Sequence, residues 1–89
     1  MKDIIIGRVG NVIDFETINV EVTQIVRSRQ GVYNSEEKVR LKTLQHGLRS
    51  IKNIKNKRFI ESMVKGKGVM CLIIGRDVHG CIEADVYVL

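Results

Sequence analysis

Residues 4–13 are rich in Ile and Val, with Gly7 and Gly10 set inside the run, which predicts a strand that bends or bulges at its glycines. After a break at Asp14-Phe15-Glu16, Ile18, Val20 and Val22 alternate with Asn19, Glu21 and Thr23, the period of a half-buried strand over residues 17–26. Ser28, Gly31, Asn34 and Ser35 mark a loop, and beyond it Val39, Leu41 and Thr43 alternate with Lys38, Arg40 and Lys42 in a third strand with a basic outer face. The period then changes. Phe59, Ile60, Met63 and Val64 recur at helical spacing, most regularly over residues 57–65, and Gly66 stands as the stop signal. Residues 47–56 fit less well, because Ile51 and Ile54 leave that stripe and two asparagines interrupt, so this stretch reads as loop or as a first turn. Residues 69–74 form a continuous apolar run, as in a strand covered on both faces, and Ile82, Ala84, Val86 and Val88 alternate behind a hairpin loop at 75–80.

The order is three strands, a helix and two strands, with connections short enough for antiparallel neighbours. It predicts a mainly β fold with one helix, a single-domain five-stranded Greek-key barrel of the OB type spanning residues 1–89. In such barrels oligonucleotides bind between the first interstrand loop and the last, across the outer faces of the second and third strands. Those places are here residues 14–16, residues 75–80 and the row Lys38, Arg40, Lys42.

Composition narrows the class. With 44% hydrophobic and 28% charged residues in 89, the chain has apolar material for one small core, which excludes a disordered protein. No apolar run approaches the roughly 18 to 20 residues of a membrane span. No membrane partner is expected, and the start of the chain lacks a secretory pattern, so the expected location is cytoplasmic. Cys71 and Cys81 lack Cys-x-x-Cys spacing and read as free, small core residues.

Charge is more informative by position than by total. The formal charge is +5, yet residues 38–60 carry eight basic side chains (Lys38, Arg40, Lys42, Arg49, Lys52, Lys55, Lys57, Arg58) and no acid, while the rest of the chain has seven basic residues against ten acidic. A polyanion would meet that segment first. The plain alternative is a solvated lysine-rich surface.

Candidate chemistry is sparse. Asp14 and Glu16 flank Phe15 in a tight turn, and two carboxylates could contribute to a calcium or magnesium site, although a turn-supporting role for Asp14 suits the sequence better. Phe15 has two readings, a platform on which a base stacks or an inward plug of the barrel end. His46 and His79 fall in loops without a neighbouring nucleophile, so no triad can be argued. Gly66-Lys67-Gly68 is too short for a phosphate loop and precedes a strand.

Three segments resemble the staphylococcal nuclease-like, or thermonuclease, family. Val12-Ile13-Asp14-Phe15-Glu16-Thr17 is similar to its Ile-Asp-Gly-Asp-Thr, Val39-Arg40-Leu41 to its Val-Arg-Leu, and residues 76–87 to its Arg-Asp-Lys-Tyr-Gly-Arg-x-x-Ala-x-Val-Tyr; residues 59–66 are similar to its helix before a Gly-Lys turn. The resemblance implies an OB barrel and, in active members, a bound cation, a water-orienting glutamate and two phosphate-clamping arginines. Glu16 stands at the first metal ligand and Arg40 at the first arginine. Gln45-His46-Gly47-Leu48 replaces the expected Asp-x-Pro-Glu, Cys81 the second arginine and His79 the tyrosine. Three of the five catalytic parts are thus replaced, and losing one such part typically costs on the order of 100-fold.

The resemblance implies a degenerate member with no catalytic residues, no cofactor and no metal expected, and the uninterrupted basic segment, overlapping the usual binding face of such barrels, predicts that it binds DNA or RNA through Arg40, Lys42, Arg49, Lys52, Lys55, Lys57 and Arg58, with Phe15 stacking on a base. The alternatives are a divalent-cation-dependent nuclease using Asp14, Glu16, Arg40 and His46 or His79 with Ca2+, and a protein-interaction module. The last is favoured by the missing terminal helices of the family, which would expose residues 86–89 to a protein partner or a second copy in a homodimer.

Overall fold

The alternating positions of the sequence turn to one interior. Ile5 and Val9 come from β1 (Asp3–Asp14), Ile18 and Val20 from β2 (Thr17–Arg27), Val39 from β3 (Glu36–His46), Val69 and Cys71 from β5 (Gly68–Arg76), and Ile82, Ala84 and Val86 from β6 (Ile82–Val88). β3 shifts register after Leu41, so that Leu44 is buried in place of the Thr43 that the alternation pointed inward. A short β4 (Arg49–Ile51) and α1 (Lys57–Val64) lie between β3 and β5. The computed structural model describes residues 2–29, 31–51 and 56–89.

The sheet closes on itself. β1 pairs with β2 and β5, β5 with β6, β6 with β3, and β3 with β2, giving a closed five-stranded barrel with the strand order β1-β2-β3-β6-β5. This is an OB-like arrangement, mainly β with one helix, as the alternation predicted. Two features differ from the sequence reading. β3 and β6 run parallel, with Val39 opposite Ile82 and His46 opposite Val88, so connection length did not decide every neighbour. The chain between β3 and α1 also adds a sixth strand, in which Leu44, Gln45 and His46 pair with Ile51, Ser50 and Arg49 around Gly47 at φ 63°.

β1 belongs to two edges of the barrel because it bends. Its pairing with β2 shifts register four times, two of them at the glycines the sequence marks, between Ile6 and Gly7 and between Val9 and Val12, and the others between Ile4 and Ile5 and between Val12 and Asp14. A Cβ on Gly7 would stand 2.6 Å from Val20 Cγ1 and strike the backbone of Glu21, so close packing of β1 on β2 requires glycine there. β5 alternates like its neighbours instead of being covered on both faces. Val69, Cys71 and Ile73 face inward, whereas Ile74 is exposed, because α1 packs against β1 and leaves the outer wall of β5 open.

α1 seals the core with Ile60 and Val64, one turn apart and both fully buried, each worth roughly 1.5–3 kcal/mol of apolar burial. Phe59, placed by the sequence on the same stripe, is exposed at its edge. Asn56 caps the helix, its Oδ1 accepting from the N–H groups of Arg58 at 2.9 Å and Phe59 at 3.3 Å. Gly66 ends it at φ 74°, and the Gly66 and Lys67 backbones bond to Val9 of β1 at 2.9 Å each. At the C-terminus Val86 is buried and Val88 half-buried; Leu89 alone of residues 86–89 is largely exposed, so the expected apolar end is a single side chain. Among the described residues no helix is long and apolar enough to cross a membrane.

Candidate nucleic-acid interface

The β1–β2 turn is built by Asp14. Its Oδ1 accepts the Glu16 N–H at 2.9 Å, the self-supporting turn that a short carboxylate offers. The Glu16 carbonyl in turn accepts the Leu41 N–H at 2.7 Å, and Thr17 pairs with Arg40. This bond lays the turn that carries Phe15 beside the basic row of β3. Phe15 is 41% exposed.

On the other side of that row lies the β5–β6 hairpin. Asp77 organises it: Oδ1 accepts from the N–H groups of His79 at 2.9 Å and Cys81 at 3.0 Å, while the Asp77 N–H and C=O bond to Cys81 and Gly80. Burial works to raise the Asp77 carboxyl, but the Cys81 and His79 N–H groups, and behind them the Arg40 charge, hold it below the usual carboxylate range. The first turn, mid-β3 and the last hairpin therefore converge around Arg40, as the barrel geometry predicted.

What stands there is not the uncovered basic face of the sequence reading. Arg40 Nη2 lies 3.4 Å from Asp77 Oδ2, and Lys42 Nζ lies 2.6 Å from Glu83 Oε2. The parallel pairing explains the second pair, since Arg40 is opposite Glu83 and Thr43 opposite Asp85, so β6 sets its acids beside β3, while Asp77 reaches Arg40 from the hairpin that precedes β6. Thr43 Oγ1 donates to Asp85 at 2.9 Å, and Glu21 faces Glu36 across β2 and β3, adding negative charge to the same wall. A segment free of acid along the chain is not free of acid in space.

The other predicted cations divide into two groups. Lys38, Arg49, Lys57 and Arg58 are exposed and carry no ion pair among the described residues, the last two in the first turn of α1, where the helix dipole disfavours positive charge. Lys52 and Lys55 lie outside the described residues. His46 sits half-buried at the end of β3, His79 is exposed, and Glu16 is exposed in its turn. Among the described residues no group of three or more His, Cys, Asp or Glu side chains is arranged to hold a metal ion.

Sequence reasoning missed Asp77 and Glu83 as the partners of Arg40 and Lys42. The signal was present in the alternation of Glu83 and Asp85 with the apolar positions of the last strand, matching the spacing of Lys38, Arg40 and Lys42. It also missed Glu37 and Asp3, both buried, and Arg76; Asp3 and Arg76 line a cavity of about 250 Å³ with Tyr33 and Ile73. Compared with protein-family models, curated proteins and solved structures, the chain finds no match in any of the three.

Proposed function

We propose that this OB-like barrel binds single-stranded DNA or RNA without cleaving it, as a degenerate relative of the staphylococcal nuclease-like domains. The observation that carries the reading is the set of exposed cations, Lys38, Arg49, Lys57 and Arg58, left without ion pairs among the described residues while Arg40 and Lys42 are neutralised. Lys52 and Lys55 extend the same run along the chain. Cations on a stable barrel bind phosphates by releasing counterions, and Phe15, exposed in the turn bonded to β3, offers a face to an unpaired base. Cleavage is left out of the proposal because Asp14 is committed to its turn, and Gln45 and His46 stand where the resemblance calls for a second metal-binding carboxylate.

Fluorescence anisotropy with labelled single-stranded oligonucleotides across a salt series tests this. Affinity should fall linearly on a log–log plot, and replacing both Lys57 and Arg58 by alanine should lower the slope by about 0.7 per lost phosphate contact. No binding to any single strand at low salt would overturn the proposal. A salt slope unchanged in the double variant would move the interface away from α1.

A further inference from the structure

We infer that Asp77 is an internal competitor for the phosphate that Arg40 would take, so that the charge of this one carboxylate sets how strongly the barrel grips an anionic strand. The ligand class rests on the nucleic-acid reading above; the masking of Arg40 by Asp77 is argued from the pair itself.

The two partners are held very unequally. Asp77 is anchored without Arg40, through the His79 and Cys81 N–H groups on Oδ1 and the hairpin's own backbone bonds. Arg40 is held poorly. Its closest approach to the carboxylate is 3.4 Å, and both Arg40 Nε and Asp77 Oδ2 are shielded from solvent without a hydrogen-bond partner. A buried donor and a buried acceptor left open beside each other are an expensive resting state. The Arg40 side chain is still 35% exposed, so it has room to turn outward. A phosphodiester offers the planar guanidinium two acceptor oxygens in the fork geometry that the Asp77 contact fails to supply. Exchanging carboxylate for phosphate trades one long contact for two short ones. The Phe15 turn lies alongside, since Thr17 pairs with Arg40.

The test uses Asp77→Asn, which keeps an Oδ1 acceptor for the hairpin while removing the charge, with Asp77→Ser as a second cap-retaining variant if the first unfolds. Each is made in the native and the Arg40→Gln backgrounds. Oligonucleotide affinity should rise about two- to fivefold on loss of the Asp77 charge, and the rise should vanish when Arg40 is Gln. An equal rise in both backgrounds would reduce Asp77 to general repulsion and overturn the inference, as would no rise at all in variants that bind.

A second arm follows the Arg40 Nε–H resonance by NMR during titration with inorganic phosphate. It should move at lower phosphate concentration in the Asp77 variants than in the native chain. If no variant binds oligonucleotides but this difference persists, the nucleic-acid reading fails and the masking stands. If the resonance responds identically with and without the Asp77 charge, the masking fails whatever the oligonucleotides do.

Discussion

Arg76 and Glu37 meet at two points, Nη1 to Oε1 at 3.1 Å and Nη2 to Oε2 at 2.9 Å, a bidentate pair joining β5 to β3 with the carboxylate only 5% exposed. The guanidinium also donates to the Gly80 carbonyl at 2.7 Å and the Val32 carbonyl at 3.1 Å. It lies 5.7 Å from the centre of the Tyr33 ring, whose hydroxyl donates to Asp3 Oδ2 at 2.6 Å. One cation thus ties the β2–β3 connection and the β5–β6 hairpin to the same end of the barrel, which is the end that the parallel pairing of β3 and β6 brings together.

Glu37→Gln should destabilise the fold by about 2 kcal/mol. That figure is discounted from the 3–5 kcal/mol of a fully buried pair because the Arg76 side is more than a third exposed. Arg76→Lys should cost a similar amount, since an ammonium cannot fork onto two oxygens and two carbonyls at once. Urea unfolding should show a lower midpoint with an unchanged slope. A shift within 0.5 kcal/mol for both variants, roughly that of an ordinary surface change, would mean the pair adds nothing.

Acid should find the same pair. Burial opposes ionisation of Glu37, but the bonds from Arg76 and the Asn34 N–H outweigh it and hold the carboxyl below its usual value, and Asp77 is lowered as well. A carboxylate whose folded pKa is depressed gives stability that is complete above its unfolded pKa and is lost as pH falls through the folded one. Stability should therefore be level down to about pH 5 and fall below about pH 4, with a shallower fall in Glu37→Gln. At the alkaline end, burial and then the bond to Asp3 push Tyr33 up to about 12. Its contribution is whole below the unfolded pKa of about 10 and disappears as pH climbs toward the folded value. Ultraviolet titration of the phenolates should show a late component that Tyr33→Phe removes.

Two glycines in β1 should answer alanine differently. At Gly7 the new methyl meets Val20 Cγ1 at 2.6 Å and the Glu21 backbone, and β2 would have to move away from β1. At Gly10 nothing lies within 4 Å. Gly7→Ala should lower stability by about 3 kcal/mol or prevent folding, whereas Gly10→Ala should stay within about 0.5 kcal/mol. Thermal unfolding of the two variants side by side is enough, and equal melting points would contradict the close approach.

The residues that were legible in the sequence are those whose partners are close in the chain or whose period is strict. Ile18, Val20 and Val22 announce β2, Ile60 and Val64 announce α1, and Gly66 marks its end, because one repeated burial direction is enough to reveal an element. The turn role of Asp14 was readable for the same reason, its partner being two residues away. β4 was not legible, since Arg49-Ser50-Ile51 is too short to show a period and forms only by folding back on β3. The pairing of Lys42 with Glu83 was hidden because it depends on β3 and β6 becoming parallel neighbours across the helix and β5. Local spacing reports which way a side chain points; it does not report what stands opposite.

Phe15 separates the two readings that its position in the sequence left open. A plug of the barrel end would be buried, and truncating it would cost roughly 3–5 kcal/mol of stability. At 41% exposure, on a turn held by its backbone and by Asp14, the ring has little core to fill. Phe15→Ala should therefore lower stability by less than about 1 kcal/mol while weakening single-stranded oligonucleotide binding by about 5- to 150-fold, the equivalent of about 1–3 kcal/mol for one stacked base. Phe15→Tyr should keep most of the affinity, because the stacking face survives. Binding unchanged in the alanine variant alongside a large fall in melting temperature would assign the ring to the core and leave the cations as the whole of the interface.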